Sequence, residues 1–176
     1  FMGTDRIGAK DRPAEVAVED SVKAAGRALC AEVALRERGD TTRVRVLKAE
    51  LDRLGRRQSA LTNLSEFTRL YDRYSYYWNA WTSPDFTSYE TDVPANALEV
   101  WMLMESERIQ NPSFRGFYRE RDVVIEERRE GEDDPTDQAW EALDATAFAA
   151  HPYHLPVIGY MSDLQTLTQE AAEAFY

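Results

Sequence analysis

The chain has 176 residues, 43% of them hydrophobic, which suffices for one domain with a real core or for a large piece of a bigger one. Thirty-two acidic against 21 basic residues give a formal charge of -11, which favours solubility and argues against nucleic acid as a partner, with no basic patch standing out. A single cysteine excludes an internal disulfide framework, and no apolar run is long enough to span a bilayer.

Phe1 to Lys10 opens without a helix-start signal or the features of a signal peptide, and reads as the tail of an element that starts earlier. Pro13 introduces a helix from Ala14 to Arg38, where Val18, Val22, Ala25, Leu29, Val33 and Leu35 recur with a mostly helical period. Cys30 lies among these apolar residues and reads as a buried structural thiol. Gly39-Asp40 ends the helix, and Thr41 opens a second with Val44, Leu47, Leu51 and Leu54 on one face, broken at Gly55. A third is expected from about Gln58 to Tyr71, with Leu61, Leu64, Phe67 and Leu70 in register. Mixed charge and short heptads argue for an ordinary helical hairpin over a coiled coil or a membrane-surface helix.

From Tyr74 to Val93 the character changes. Aromatic and threonine-rich runs on either side of Ser83-Pro84-Asp85 predict a β-hairpin. Pro94 then starts a helix over Ala95 to Gln110, whose Leu98, Val100, Trp101, Met102, Leu103 and Met104 predict a place at the centre of the core. Asn111-Pro112 closes it, and Ser113 or Asn111 is expected to cap a charged helix running to about Glu132. Asp134-Pro135 is a strong restart signal for Thr136 to Phe148, and Thr168 caps a last helix with Glu170 in its first turn.

The charged helix carries the chemistry. At about 100° per residue, Glu120 and Glu127 project within about 20° of each other, two turns apart on one flank. Phe114, Phe117, Tyr118, Val124 and Ile125 form an apolar stripe whose border that flank meets, so both glutamates are expected to be half-buried and to need a donor, a cation or a metal. Arg121 and Arg128 point into the same stripe, with Glu105 or Glu107 as partners. On pattern alone a solvated face laced with i,i+3 and i,i+4 pairs is the simpler account of the run, and the site reading stands beside it.

The run Arg119 to Glu130, together with Asn79-Ala80-x-Thr82-Ser83-x-Asp85-x-Thr87-x-Tyr89 and the His151-Pro152-Tyr153-x-x-Pro156-x-x-Gly159 loop, resembles the pitrilysin/insulinase family of zinc metallopeptidases, the inverted zincins. The resemblance covers nearly the whole chain, most closely from Asn79 to Asp92 and from Arg119 to Tyr176. In that family an H-x-x-E-H helix supplies two histidine ligands and a general-base glutamate, and a later helix supplies the third ligand. The resemblance therefore implies Glu127 as that zinc ligand, Glu120 as its outer support, and Asn79, Ala80, Trp81 and Thr82 as an edge strand that binds peptide by β-augmentation. It also implies that the chain begins just after the H-x-x-E-H residues. His151 and His154, with Pro152 between them, cannot supply that helix. Ser75, Tyr76, Tyr77 and Trp78 stand where the family usually has glycines, and His154 stands at a position usually small.

The implied fold is α+β, a helix-rich part of a peptidase domain with helices on one face of a mostly antiparallel sheet, of which one hairpin is evident. Residues 1–176 read as one partial domain, with a helical insertion at 13–72, the hairpin at 74–93 and the ligand helix within 95–176. The implied function is zinc-dependent hydrolysis of extended peptides, with a second homologous half as partner and a periplasmic or secreted setting. By itself this chain, lacking the general base, is expected neither to hold zinc tightly nor to cleave. A non-catalytic, peptidase-like half that serves binding or assembly is the alternative.

Overall fold

The computed structural model describes Thr4, residues 7–63 and residues 65–176. Asp11 caps helix α1 (Arg12–Ala34) by accepting the Ala14 N–H at 3.1 Å, and Pro13 occupies the first turn, where its missing N–H leaves nothing unpaired. A 3-10 turn leads to Asp40, which accepts the N–H groups of Thr42 and Arg43 and so starts helix α2 (Thr41–Leu61). The two helices share the most extensive helix contact among the described residues.

Gly55 does not break α2. The helix passes through it, because the cost of one interior glycine, about 1 kcal/mol, is outweighed by the burial of Leu54 and the partial burial of Leu51 in the core. The next helix, α3 (Glu66–Tyr74), accordingly starts later than expected, with Phe67 and Tyr71 buried and Leu70 partly buried. Leu64 lies outside the described residues.

Strands β1 (Tyr77–Thr82) and β2 (Thr87–Asp92) pair antiparallel, from Tyr77 opposite Asp92 to Thr82 opposite Thr87. Ser83 makes the turn: its N–H reaches the Phe86 carbonyl at 2.9 Å, and its hydroxyl accepts the N–H groups of Asp85 and Phe86. Trp81 then packs edge-on against Phe86 and donates to Glu90 at 2.8 Å.

Helix α4 (Leu98–Gln110) corrects a second expectation. Only Met104 and Glu107 are buried on it, whereas Leu98, Met102, Leu103 and Ile109 are exposed. Its apolar arc is wider than the cluster around Phe67 and Tyr71 that it packs on can cover. Helix α5 (Phe117–Asp133) is entered through Gly116, whose φ of 69° is left-handed, so neither Ser113 nor Asn111 acts as its cap. Asp134 does cap helix α6 (Pro135–Ala147), accepting from Thr136 at 2.7 Å. Helices α7 (Met161–Thr166) and α8 (Gln169–Phe175) follow, the latter capped by Thr168.

The architecture is thus helix-rich α+β with one antiparallel hairpin. Its main core joins Val18, Val22, Cys30, Leu54, Phe117 and Tyr118, and a second cluster joins Phe67, Tyr71 and Met104 beneath the hairpin side. No helix of the described residues is long and apolar enough to cross a membrane.

Candidate metal and peptide site

Helix α5 buries Phe117, Tyr118, Arg121 and Ile125. That stripe is centred near Arg121 and Ile125, more than about 110° round the helix from Glu120 and Glu127. Both glutamates are therefore exposed, not half-buried.

The two arginines in the stripe find partners other than Glu105 and Glu107. Arg121 Nη1 donates to the Leu167 carbonyl at 3.2 Å and reaches Cys30 Sγ at 3.3 Å, joining α5 to α1 and to the start of α8. Burial pushes the Cys30 thiol above its ordinary range in spite of that guanidinium, which fits a structural thiol. Arg128 grips Glu141 on α6 with both Nη atoms, at 2.7 and 3.0 Å, and its Nε reaches Glu132. Glu105 instead accepts from Tyr71 and Arg108, and Glu107 from Asn111.

With α6 pinned beside α5, a cleft of about 930 Å³ opens between them, the His154–Ile158 segment and the end of β1. Glu127 and Thr82 both line it, so the structure brings the candidate ligand to the candidate edge strand; Glu120 lies outside the lining. Asp137, Trp140, Glu141 and Asp144 form the α6 wall, with Trp140 61% exposed. That wall was readable in advance, because positions 137, 140, 141 and 144 have the i, i+3, i+4, i+7 spacing of one helix face. The loop below is held by packing: His151 and Tyr153 meet edge to face with centroids 4.4 Å apart, and Tyr153 donates to Asp85 at 2.7 Å, tying the loop to the hairpin turn.

Glu127 makes no hydrogen bond or ion pair with any described residue. A free carboxylate facing an anionic cleft suits a cation, so it fits as one ligand of a metal ion. No three His, Cys, Asp or Glu side chains among the described residues cluster closely enough to form a complete site. The resemblance also implies that Glu127 faces the end of the Phe1–Thr4 segment, of which all but Thr4 lies outside the described residues.

At β1, the Ser83–Phe86 bond sets the alternation of the ladder, which sends the N–H of Ala80 to the outer edge, away from β2. The Asn79 side chain covers that donor: its Oδ1 accepts the Ala80 N–H at 2.9 Å, while its Nδ2 donates to Tyr77. Trp78 is tied back to Asp72 on α3 at 2.9 Å.

The sequence pattern described as Insulinase (Peptidase family M16) matches residues 48–160. Zinc protease PqqE of Helicobacter pylori is 30% identical over 129 residues, which is 72% of this chain and 29% of that protein. An uncharacterized zinc protease of Mycobacterium leprae is 31% identical over 100 residues, 56% of this chain and 22% of that protein. The chain spans less than a third of the length of these curated relatives. Since the match extends over residues 48–160, from within α2 past the hairpin and the glutamate helix to the His151 loop, the chain belongs to the insulinase family of peptidases, family M16.

Proposed function

We propose that this chain is part of a zinc-dependent endopeptidase that cleaves extended peptides, with Glu127 supplying one zinc ligand from α5. The observation that carries this reading is the placement of an unpaired Glu127 carboxylate in the same cleft as Thr82 at the end of β1. Family membership and two relatives named as zinc proteases support it. When bound, zinc polarises the scissile carbonyl and activates water. The remaining ligands and the general base come from other parts of the whole protein. Glu120 acts one step further out, by hydrogen bonding to residues that hold the metal. The outer edge of β1 takes the peptide as an added strand, and the main-chain bonds formed there tolerate many sequences. Asn79 must then release the Ala80 N–H. A second, homologous half of the whole protein completes the enclosure around the substrate.

The test is Glu127→Gln in the full-length protease, with zinc affinity measured by chelator competition and turnover by a quenched peptide. Loss of a ligand predicts that both fall together by at least tenfold while the helical circular dichroism is unchanged. Full zinc occupancy with full turnover would sink the assignment.

A further inference from the structure

Arg115 and Glu15 are 100 residues apart in sequence and are 1% and 0% exposed. The guanidinium is used on all sides. Nε and Nη2 hold the two oxygens of Glu15, and Nη1 donates to two main-chain carbonyls, Thr4 at 2.6 Å and Ile7 at 3.0 Å. Thr4 and Ile7 are also bonded to each other: the Thr4 N–H reaches the Ile7 carbonyl at 3.2 Å and the Ile7 N–H reaches Thr4 Oγ1 at 3.0 Å. Thr4 also bridges Pro112, and Gly8, with φ of +95°, brings its backbone so close that an added Cβ would lie 3.4 Å from Arg115 Nη1.

A buried ion pair is a poor way to gain stability, because desolvating both charges offsets most of their attraction and apolar residues of similar volume serve as well or better. What a planar fork of five donors offers is geometry: a carboxylate on one side and two carbonyls on the other, at fixed angles. Arg115 stands immediately before Gly116, the left-handed residue that launches α5, and the Gly116 N–H is itself held by the buried Gln58 at 3.2 Å. The clamp thus fixes Thr4 and Ile7 to the start of the helix on which Glu127 lies, about 15 Å further along.

We infer that Arg115 is a positioning residue, which fixes the start of helix α5 against Thr4, Ile7 and α1 and so sets where Glu127 stands in the cleft to hold a metal ion. This rests on Glu127 being a zinc ligand. Glu15 fixes the plane of the guanidinium and acts only through it.

Two variants of the full-length protease test it. Arg115→Lys keeps a charge opposite Glu15 but cannot reach both carbonyls and the carboxylate together. The paired variant Glu15→Leu with Arg115→Met removes both buried charges and preserves the core. Each is measured by thermal unfolding, by amide exchange over residues 7–10 in the metal-free protein, and by zinc affinity and kcat. The expected result is faster exchange in that segment, zinc affinity lower by tenfold to a hundredfold, and kcat lowered with KM little changed, even where the melting temperature equals that of the wild type. Zinc affinity and kcat within twofold of wild type in either folded variant overturn the inference and leave the clamp a matter of stability. Glu127→Gln separates the two failures: if it loses zinc while the clamp variants do not, the ligand stands and the positioning role falls.

Discussion

Arg128 on α5 holds Glu141 on α6 with two nitrogens on two oxygens, at 2.7 and 3.0 Å, and this grip sets one wall of the cleft that Glu127 faces. The hydrogen bond from Arg128 keeps the Glu141 carboxyl below its ordinary range, and the Thr136 N–H, with that of Asp137, does the same for Asp134 at the cap of α6. A depressed carboxylate contributes stability above its unfolded pKa and loses it as pH falls through the lower folded value. These two attachments of α6 therefore weaken together on acidification below about pH 4. Amide exchange should quicken in α6 at that pH before it does in α1 and α2. Glu141→Gln should loosen α6 already at neutral pH, at a cost under about 1 kcal/mol because the pair is partly solvated. Uniform exchange across all helices on acidification would contradict this.

Tyr118 lies directly over Gly26, so closely that a methyl group on Gly26 would overlap the ring. Glycine is used there for the close approach of α1 and α5, not for its backbone freedom. Gly26→Ala should force the helices apart and lower stability by about 1–3 kcal/mol, and Tyr118→Leu in the same chain should relieve it. Burial pushes the Tyr118 hydroxyl up to about 12. A raised value means that its contribution is fully present below the unfolded tyrosine pKa of about 10 and is lost as pH rises from there through the folded value. Urea midpoints should fall between pH 10 and 12 in the wild type, as those two pKa values require, and fall less in Tyr118→Phe.

Local signals in the sequence located what local chemistry decides. Asp134-Pro135, Asp40-Thr41, Thr168 and the Ser83 turn each start an element by satisfying backbone groups a few residues away, and each stands where that chemistry predicts. Gly55 misled because its helical penalty is real but smaller than the burial flanking it. Helix α4 misled because periodicity reports which residues are apolar, not whether a partner covers them; Met102 and Leu103 remain 54% and 61% exposed. For α5 the expected half-burial of Glu120 and Glu127 failed, since both lie exposed on the open flank as a solvated face would place them, whereas Arg121 and Arg128 are built into the structure. Arg115 and Glu15 escaped notice because the pairing spans the chain, although Glu15 stands on the Val18, Val22, Leu29 stripe, where an acid requires a partner.

The outer edge of β1 offers the last test. The Ala80 N–H points outward and is occupied by the neighbouring Asn79 side chain, which is held in place by Tyr77. A peptide strand arriving there must displace Asn79 Oδ1 before it can accept that N–H, so part of its hydrogen-bond energy is spent on the exchange. On the proposed reading, Asn79→Ala in the whole protein should therefore lower KM modestly and leave zinc affinity unchanged. Ala80→Pro removes the donor altogether and should raise KM by about two- to tenfold, the worth of one net hydrogen bond, again with zinc unaffected. Steady-state kinetics on a quenched peptide, with metal analysis alongside, measures both. If folded Ala80→Pro keeps wild-type kcat/KM, peptide does not bind through this edge, and the strand serves only to wall the cleft beside Glu127.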